Sequence, residues 1–187
     1  MLFRSALGAP FEFGPTGEYT RRFPAPVWGG TGEMTGGGGF GWAPGEFTDD
    51  TQMAMCLAES IVARGGIDPD DLWRRWQHWS RSASDVGIIT RAALSRPTRD
   101  GAAAAAHAEV GRSASNGALM RVTPLALAYL GLTGETATET VMAAAVTQAS
   151  ITHHDPAAGW GAAIAAELVR RAVHGADPTH EIGRAHV

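Results

Sequence analysis

The chain has 187 residues, 44% of them hydrophobic and 18% charged, which is enough apolar content for a sizeable core and too much for a disordered chain. The net charge of −4 gives it no electrostatic attraction to nucleic acid or an anionic membrane, so neither is expected as a partner. There is no lysine for Schiff-base chemistry, and the lone Cys56 permits neither an internal disulfide nor a cysteine metal cluster.

No signal-peptide pattern opens the chain and no apolar run reaches ~18 residues, so a soluble, cytoplasmic protein is expected. Residues 1–47 are rich in Gly, Pro and aromatics. The stretch "TGEMTGGGGFGWAPGEF" suits neither a regular helix nor a central strand, because Gly and Pro break both. It reads as a long loop, and Phe40, Trp42 and Phe47 argue that the loop is packed, since aromatic rings seek burial.

From Thr48 the pattern turns helical. Met53, Leu57, Ala58 and Ile61 recur at helical spacing, Gly65-Gly66 ends the run, and Cys56 within it reads as a small buried hydrophobe. In "DPDDLWRRWQHWSRS" Asp68 is a cap, Pro69 the first helical residue, and Asp70 and Asp71 complement the helix dipole. Leu72, Trp73, Trp76 and Trp79 then form a stripe, read as core packing rather than a binding face. Another helical piece runs from Ile88 to Leu94 and stops before Pro97. "GAAAAAHAEVG" permits a helix with little to bury. "SNGALMRVTPLALAYLG" is a turn leading into an apolar helix. The segment from Thr136 to Gly175 reads as two helices split by "THHDP". No strand alternation is found, so the expected class is all-α.

Thr48, Asp49 and Asp50 place a hydroxyl and two carboxylates at a helix start. A helix N-terminus tolerates such residues, with Thr48 as cap. The same hard oxygens also suit Mg²⁺ or Mn²⁺. Other segments carry single polar groups at breaks: Glu12 in "LGAPFEFG", Asp85 beside Gly87 and Thr90 in "SDVGIITRAAL", Asn116 and Gly117 in "SNGALMRV", and His153 in "SITHHDPAA". Asn116 and Gly117 stand just ahead of a helix, where backbone N–H groups can hold a phosphate.

As an ordered set, these segments resemble the ADP-ribosylglycohydrolase family, which includes the dinitrogenase-reductase-activating glycohydrolases. The resemblance runs from about Ala6 to Val173, and "PGEFTDDTQMAM" and "SNGALMRV" are its most specific parts. It implies an all-α orthogonal helical bundle with a centre of two Mg²⁺ ions, or Mn²⁺. It implies Thr48, Asp49 and Asp50 as metal ligands, Glu12 as a gate beside the metals and Asp85 as general base. It further implies contacts to ADP-ribose from Gly87, Asn116, Gly117, Met120 and His153. The implied activity is metal-dependent cleavage of the ribose C1″ glycosidic bond, removing ADP-ribose from a modified protein side chain or a small acceptor. The implied full-length protein is a monomer. A module that binds ADP-ribose without catalysis is the alternative. Phe11, Phe40 and Trp42 are candidates to shape the pocket.

Two departures qualify the resemblance. The family's opening segment usually reads Gly-Asp-Ala-Leu-Gly, whereas here Arg4-Ser5-Ala6-Leu7-Gly8 puts Ser5 in place of the acid. The family's C-terminal Asp-x-Asp-Ser/Thr motif has no counterpart beyond Asp155. The last seven residues, "EIGRAHV", match the in-frame translation of a sequencing adapter. Residues 1–180 are therefore expected to be a single partial domain, truncated at its C-terminus and inactive, with 181–187 an adapter-derived tail. Apolar faces left uncovered by the truncation would make such a fragment poorly soluble.

Overall fold

The computed structural model describes residues 2–23 and 34–176. The tail expected to derive from an adapter, residues 181–187, lies outside them. Among the described residues there are helices and no strand, as the all-α expectation requires; one isolated antiparallel bridge joins Gly37 and Trp42. The chain forms two compact units, residues 1–52 and 53–187.

In the first unit, α1 (Leu2–Gly8) runs directly into a 3₁₀ turn at Ala9–Phe11, with Pro10 where a missing N–H costs nothing. Gly17, at φ 81°, turns the chain into α2 (Glu18–Arg22). Two helices that the sequence reading did not identify precede the Gly-rich stretch. They span 7 and 5 residues, too few turns to display a hydrophobic period. Phe11, Tyr19 and Phe23 pack ring against ring at 5.3–6.2 Å.

The described part of the Gly-rich stretch is a packed loop, as expected. Gly36 and Gly38 both have φ near +70° and both sit against backbone. A Cβ on Gly36 would lie 2.3 Å from Trp42 O, and one on Gly38 would lie 2.8 Å from Pro10 O. Only glycine meets both demands. Trp42 is buried, whereas Phe40 is partly exposed against it.

The next helix, α3 (Asp49–Arg64), contains the boundary between the units. It ends where expected, with Gly65 in the left-handed region donating its N–H to Ile61 O. In the second unit, α4 (Pro69–Ser80) starts as predicted, with the Asp68 carboxylate accepting from the N–H groups of Asp70 and Asp71. The stripe packs inward: Leu72, Trp73 and Trp76 are buried, Trp79 lies partly buried against the core, and the Trp76 indole donates to Met53 O at 3.2 Å. Then follow α5 (Ile88–Leu94), α6 (Ala102–Val110) and α7 (Thr123–Ala128). The last two, α8 (Glu135–Ser150) and α9 (Pro156–Val173), pack along one another through alanines, among them Ala145, Ala149, Ala162, Ala163 and Ala166. Small side chains let the two backbones approach closely. The break between them, residues 151–155, is where the sequence placed it.

Candidate active site

The predicted site residues are distributed over both units. In the first, Thr48 is almost fully buried and its carbonyl accepts the first helical bonds, from Thr51 and Gln52. Its hydroxyl was expected to cap α3. It does something else, donating to Asp50 Oδ2 at 3.1 Å. Its backbone N–H donates to Ser5 Oγ at 2.8 Å, and Ser5 Oγ lies 2.9 Å from Thr48 Oγ1. Thr48 has one hydroxyl proton, given to Asp50, so Ser5 supplies the proton in the Ser5–Thr48 contact. The result is a directed circuit from Thr48 N–H through Ser5 and the Thr48 hydroxyl to a carboxylate. Asp49, largely buried, accepts from the Asp50 N–H at 3.0 Å. Ser5, at the family's acidic position, thus holds the Thr48 end of the cluster by two hydrogen bonds.

Three hard oxygen donors within three residues fit Mg²⁺ or Mn²⁺ chemistry, since Mg²⁺ is commonly held by one or two carboxylates while keeping several waters. Among the described residues, no group of three or more His, Cys, Asp or Glu is gathered for a metal. The donors gathered at the start of α3 are the Thr48 hydroxyl and the carboxylates of Asp49 and Asp50. Glu12 is exposed at the end of the 3₁₀ turn, its N–H bonded to Gly8 O. The next residue, Phe13, is left-handed at φ 65°, exposed, and edge-on to Phe40 at 6.0 Å.

In the second unit Asp85 is half-buried and Gly87 exposed, just ahead of α5. The Asn-Gly segment is a turn, as expected. Asn116–Ala118 is one 3₁₀ turn, closed by Leu119 and Met120 N–H groups on Asn116 O, and α7 begins only at Thr123. Pro124 stands in the first turn of α7, as the sequence placed it, so the Asn-Gly turn comes just before the helix. Asn116 is exposed, Gly117 buried, and Met120 lies partly buried against the core.

Gly117 and His153 are brought together. A Cβ on Gly117 would sit 3.0 Å from His153 Cε1 and 3.3 Å from Thr90 Oγ1. His153 is 2% exposed, with Nε2 2.8 Å from Ser115 Oγ and Nδ1 2.8 Å from Thr152 Oγ1. Burial, and then the charge of Arg121, holds its pKa down at about 3, so the ring is neutral at physiological pH. Arg121 is itself fully buried. It donates to Gln148 Oε1, Gln148 O and Thr152 Oγ1 at 2.8–3.0 Å, and its guanidinium lies 3.8 Å over the Trp76 ring. Next to this, buried Ser113 accepts from the Asp155 N–H at 3.0 Å and lies 2.8 Å from His107 Nδ1, tying the loop before the Asn-Gly turn to the break that carries His153.

Sequence reasoning did not find Ser113, Ser115, Arg121 or Thr152. Their available signals were an Arg embedded in the apolar run "ALMRV" and hydroxyls flanking the two polar turns. Cys56 is half-buried rather than buried, and burial pushes its thiol up to about 11, which leaves it protonated and unreactive.

Among the described residues the fold is all-α, with an oxygen-donor cluster at the start of α3 in the first unit and a buried polar chain beneath a Gly turn in the second. The chain belongs to the ADP-ribosylglycohydrolase family, whose model matches residues 5–186. It is 36% identical over 152 residues to the ADP-ribosyl-[dinitrogen reductase] glycohydrolase of Rhodospirillum rubrum, covering 81% of this chain and 48% of that protein. It is 35% identical over 154 residues to an ADP-ribosylarginine hydrolase of Pseudomonas putida, covering 78% and 40%. A solved structure described as an ADP-ribosylglycohydrolase-related protein complex matches with a TM-score of 0.57 and 35% identity, over 75% of this chain and 44% of that one. The chain spans about half the length of the curated relatives it matches, or less.

Proposed function

We propose that the protein, in its full-length form, removes ADP-ribose from a modified protein side chain or a small acceptor by hydrolysing the ribose C1″ bond, with arginine as the first linkage to test. The observation that carries this reading is the Ser5–Thr48–Asp50 circuit beside Asp49, which presents three hard oxygens at the start of α3 in a chain of this family. The relatives named as acting on ADP-ribosylarginine and ADP-ribosyl-dinitrogen reductase support a protein substrate.

Thr48, Asp49 and Asp50 would hold divalent metal, Mg²⁺ or Mn²⁺. When bound, such an ion orients ribose hydroxyls and lowers the pKa of a water. Asp85 is assigned the general base that takes a proton from the attacking water. The water oxygen bonds to C1″, the C1″–N bond pair leaves with the acceptor nitrogen, and that nitrogen regains a proton. The transition state is oxocarbenium-like. His153 is no candidate for the acid, because a ring with a pKa of about 3 carries no spare proton at neutral pH. It serves instead, with Asn116, Gly117, Met120 and Gly87, to hold ADP-ribose. Glu12 is assigned the gate.

The test measures free ADP-ribose released from an arginine-ADP-ribosylated protein, with and without chelator, alongside Mn²⁺ binding by paramagnetic resonance. Asp49→Ala and Asp50→Ala are each expected to weaken metal binding and lower release about 100-fold or more. Unchanged metal binding and release in both variants would overturn the assignment. A second reading, a binding module without catalysis, is favoured by Ser5 standing where the family's opening segment carries an acid. Metal-independent ADP-ribose binding with no turnover would establish it.

A further inference from the structure

The hydrogen bonds around His153 have a direction that can be read from donor and acceptor capacity alone. A guanidinium only donates, so Thr152 Oγ1 accepts from Arg121 Nη2 at 3.0 Å. Thr152 is fully buried, and among the described residues its hydroxyl has one other polar neighbour, His153 Nδ1 at 2.8 Å. A buried hydroxyl proton needs an acceptor, and this nitrogen is the one available. Nδ1 is therefore the unprotonated nitrogen of the ring. A neutral imidazole then carries its proton on Nε2, which faces Ser115 Oγ at 2.8 Å. Ser115 Oγ accepts that proton, and its own O–H is left to donate elsewhere. Ser115 is exposed, immediately ahead of the Asn116–Ala118 turn.

We infer that Ser115 is a ligand-contacting residue, an O–H donor to an oxyanion of the ADP-ribose pyrophosphate, and that Arg121 and Thr152 are positioning residues that impose its donor sense through the Nε2–H tautomer of His153. The inference rests on the ADP-ribose reading above. Its physical logic is preorganisation. A serine that could equally accept from and donate to its neighbour would have to reorient on binding, whereas one that accepts from a fixed N–H keeps its single proton for an anion at no such cost. Gly117 packs on the same ring, so the turn and the imidazole are held in one arrangement.

Two measurements on the full chain test it. Long-range ¹H–¹⁵N spectra of the His153 ring report the tautomer directly. The expected result is Nε2–H in the wild type, retained in Thr152→Ser and lost or mixed in Thr152→Val. An Nδ1–H wild type would overturn the inference. Calorimetric titration with ADP-ribose is the second measurement, and Ser115→Ala is expected to bind about 10-fold more weakly, as for a lost hydrogen bond to a charged group. Thr152→Val is expected to weaken binding in the same direction, with Thr152→Ser restoring it. Equal binding by wild type and Ser115→Ala, both measurable, would sink the role of Ser115 while leaving the functional reading intact. Absence of ADP-ribose binding in the wild type itself would sink both, and the two failures are told apart by whether the wild type binds.

Discussion

Gly117 has room for a hydrogen and little more. A methyl there would press on the His153 ring at 3.0–3.1 Å and on the Thr90 hydroxyl at 3.3 Å. The ring cannot give way, because both nitrogens are held at 2.8 Å and the residue is buried. Gly117 is not one of the left-handed glycines, so the penalty is steric and owes nothing to backbone strain. Gly117→Ala should cost about 1–3 kcal/mol, as overpacking of a tight interior does. Urea denaturation checks this; a loss below a few tenths would mean that the ring has space to move. At this scale the sequence was half legible. Residues of unusual chemistry at chain breaks stood out: Asp49, Asp50, Asn116 and His153. The small hydroxyls that direct them, Ser5, Thr152 and Ser115, did not, because a serine's role lies in what it touches across 38 or 43 residues of chain. Ser5 was noticed only as a missing acid, and the structure gives it a positive role in holding Thr48.

Among the elements, α4 shows why some helices could be read directly. Its cap, its first-turn Pro and acids, and its apolar stripe all point to one start and one buried face, and the structure agrees at each. Asp68 Oδ1 satisfies two N–H groups that α4 would otherwise leave without a partner, those of Asp70 and Asp71, at 3.0 and 2.9 Å. Asp68→Ala should therefore cost about 1 kcal/mol, and Asp68→Asn, which keeps the accepting oxygen, only a fraction of that. A thermal or urea series on the two variants separates the cap from the exposed Arg64–Asp68 pair at 3.6 Å, which Asn would also abolish. Equal losses in both variants would assign the effect to the charge. The elements that escaped, α1 and α2, are short and contribute no period. α7 was legible because Pro124 marks its first turn, with the Asn-Gly turn ahead of it.

Over the second unit as a whole, three buried titratable groups set how stability follows pH. His153 has a pKa near 3 when folded against an ordinary 6.5, because burial and Arg121 oppose its charge. The unfolded chain therefore binds that proton first. The His153 contribution is complete above pH 6.5 and is lost as pH falls from there toward 3, at up to about 1.4 kcal/mol per pH unit. Glu167 behaves as a depressed carboxylate. Burial raises its pKa, but donors from Arg170, Arg171 and Thr138 outweigh that and hold it near 2, against 4.5. Its contribution is present above pH 4.5 and disappears only as pH falls through 2. Asp71, held down first by Arg75 and also by Arg64, is lost in the same acid direction, below 3.8. The windows separate. Between pH 6.5 and 4.5 the slope from these three groups belongs to His153, and the carboxylates enter only below it. Urea denaturation at about pH 6 and about pH 5 should show the wild type losing about 1.2 kcal/mol more than His153→Gln, which has no proton to take up. If the two proteins lose the same stability over that interval, His153 does not stay neutral in the fold. The hydrogen-bond direction that runs from Arg121 to Ser115, which requires a neutral ring, would then have to be redrawn.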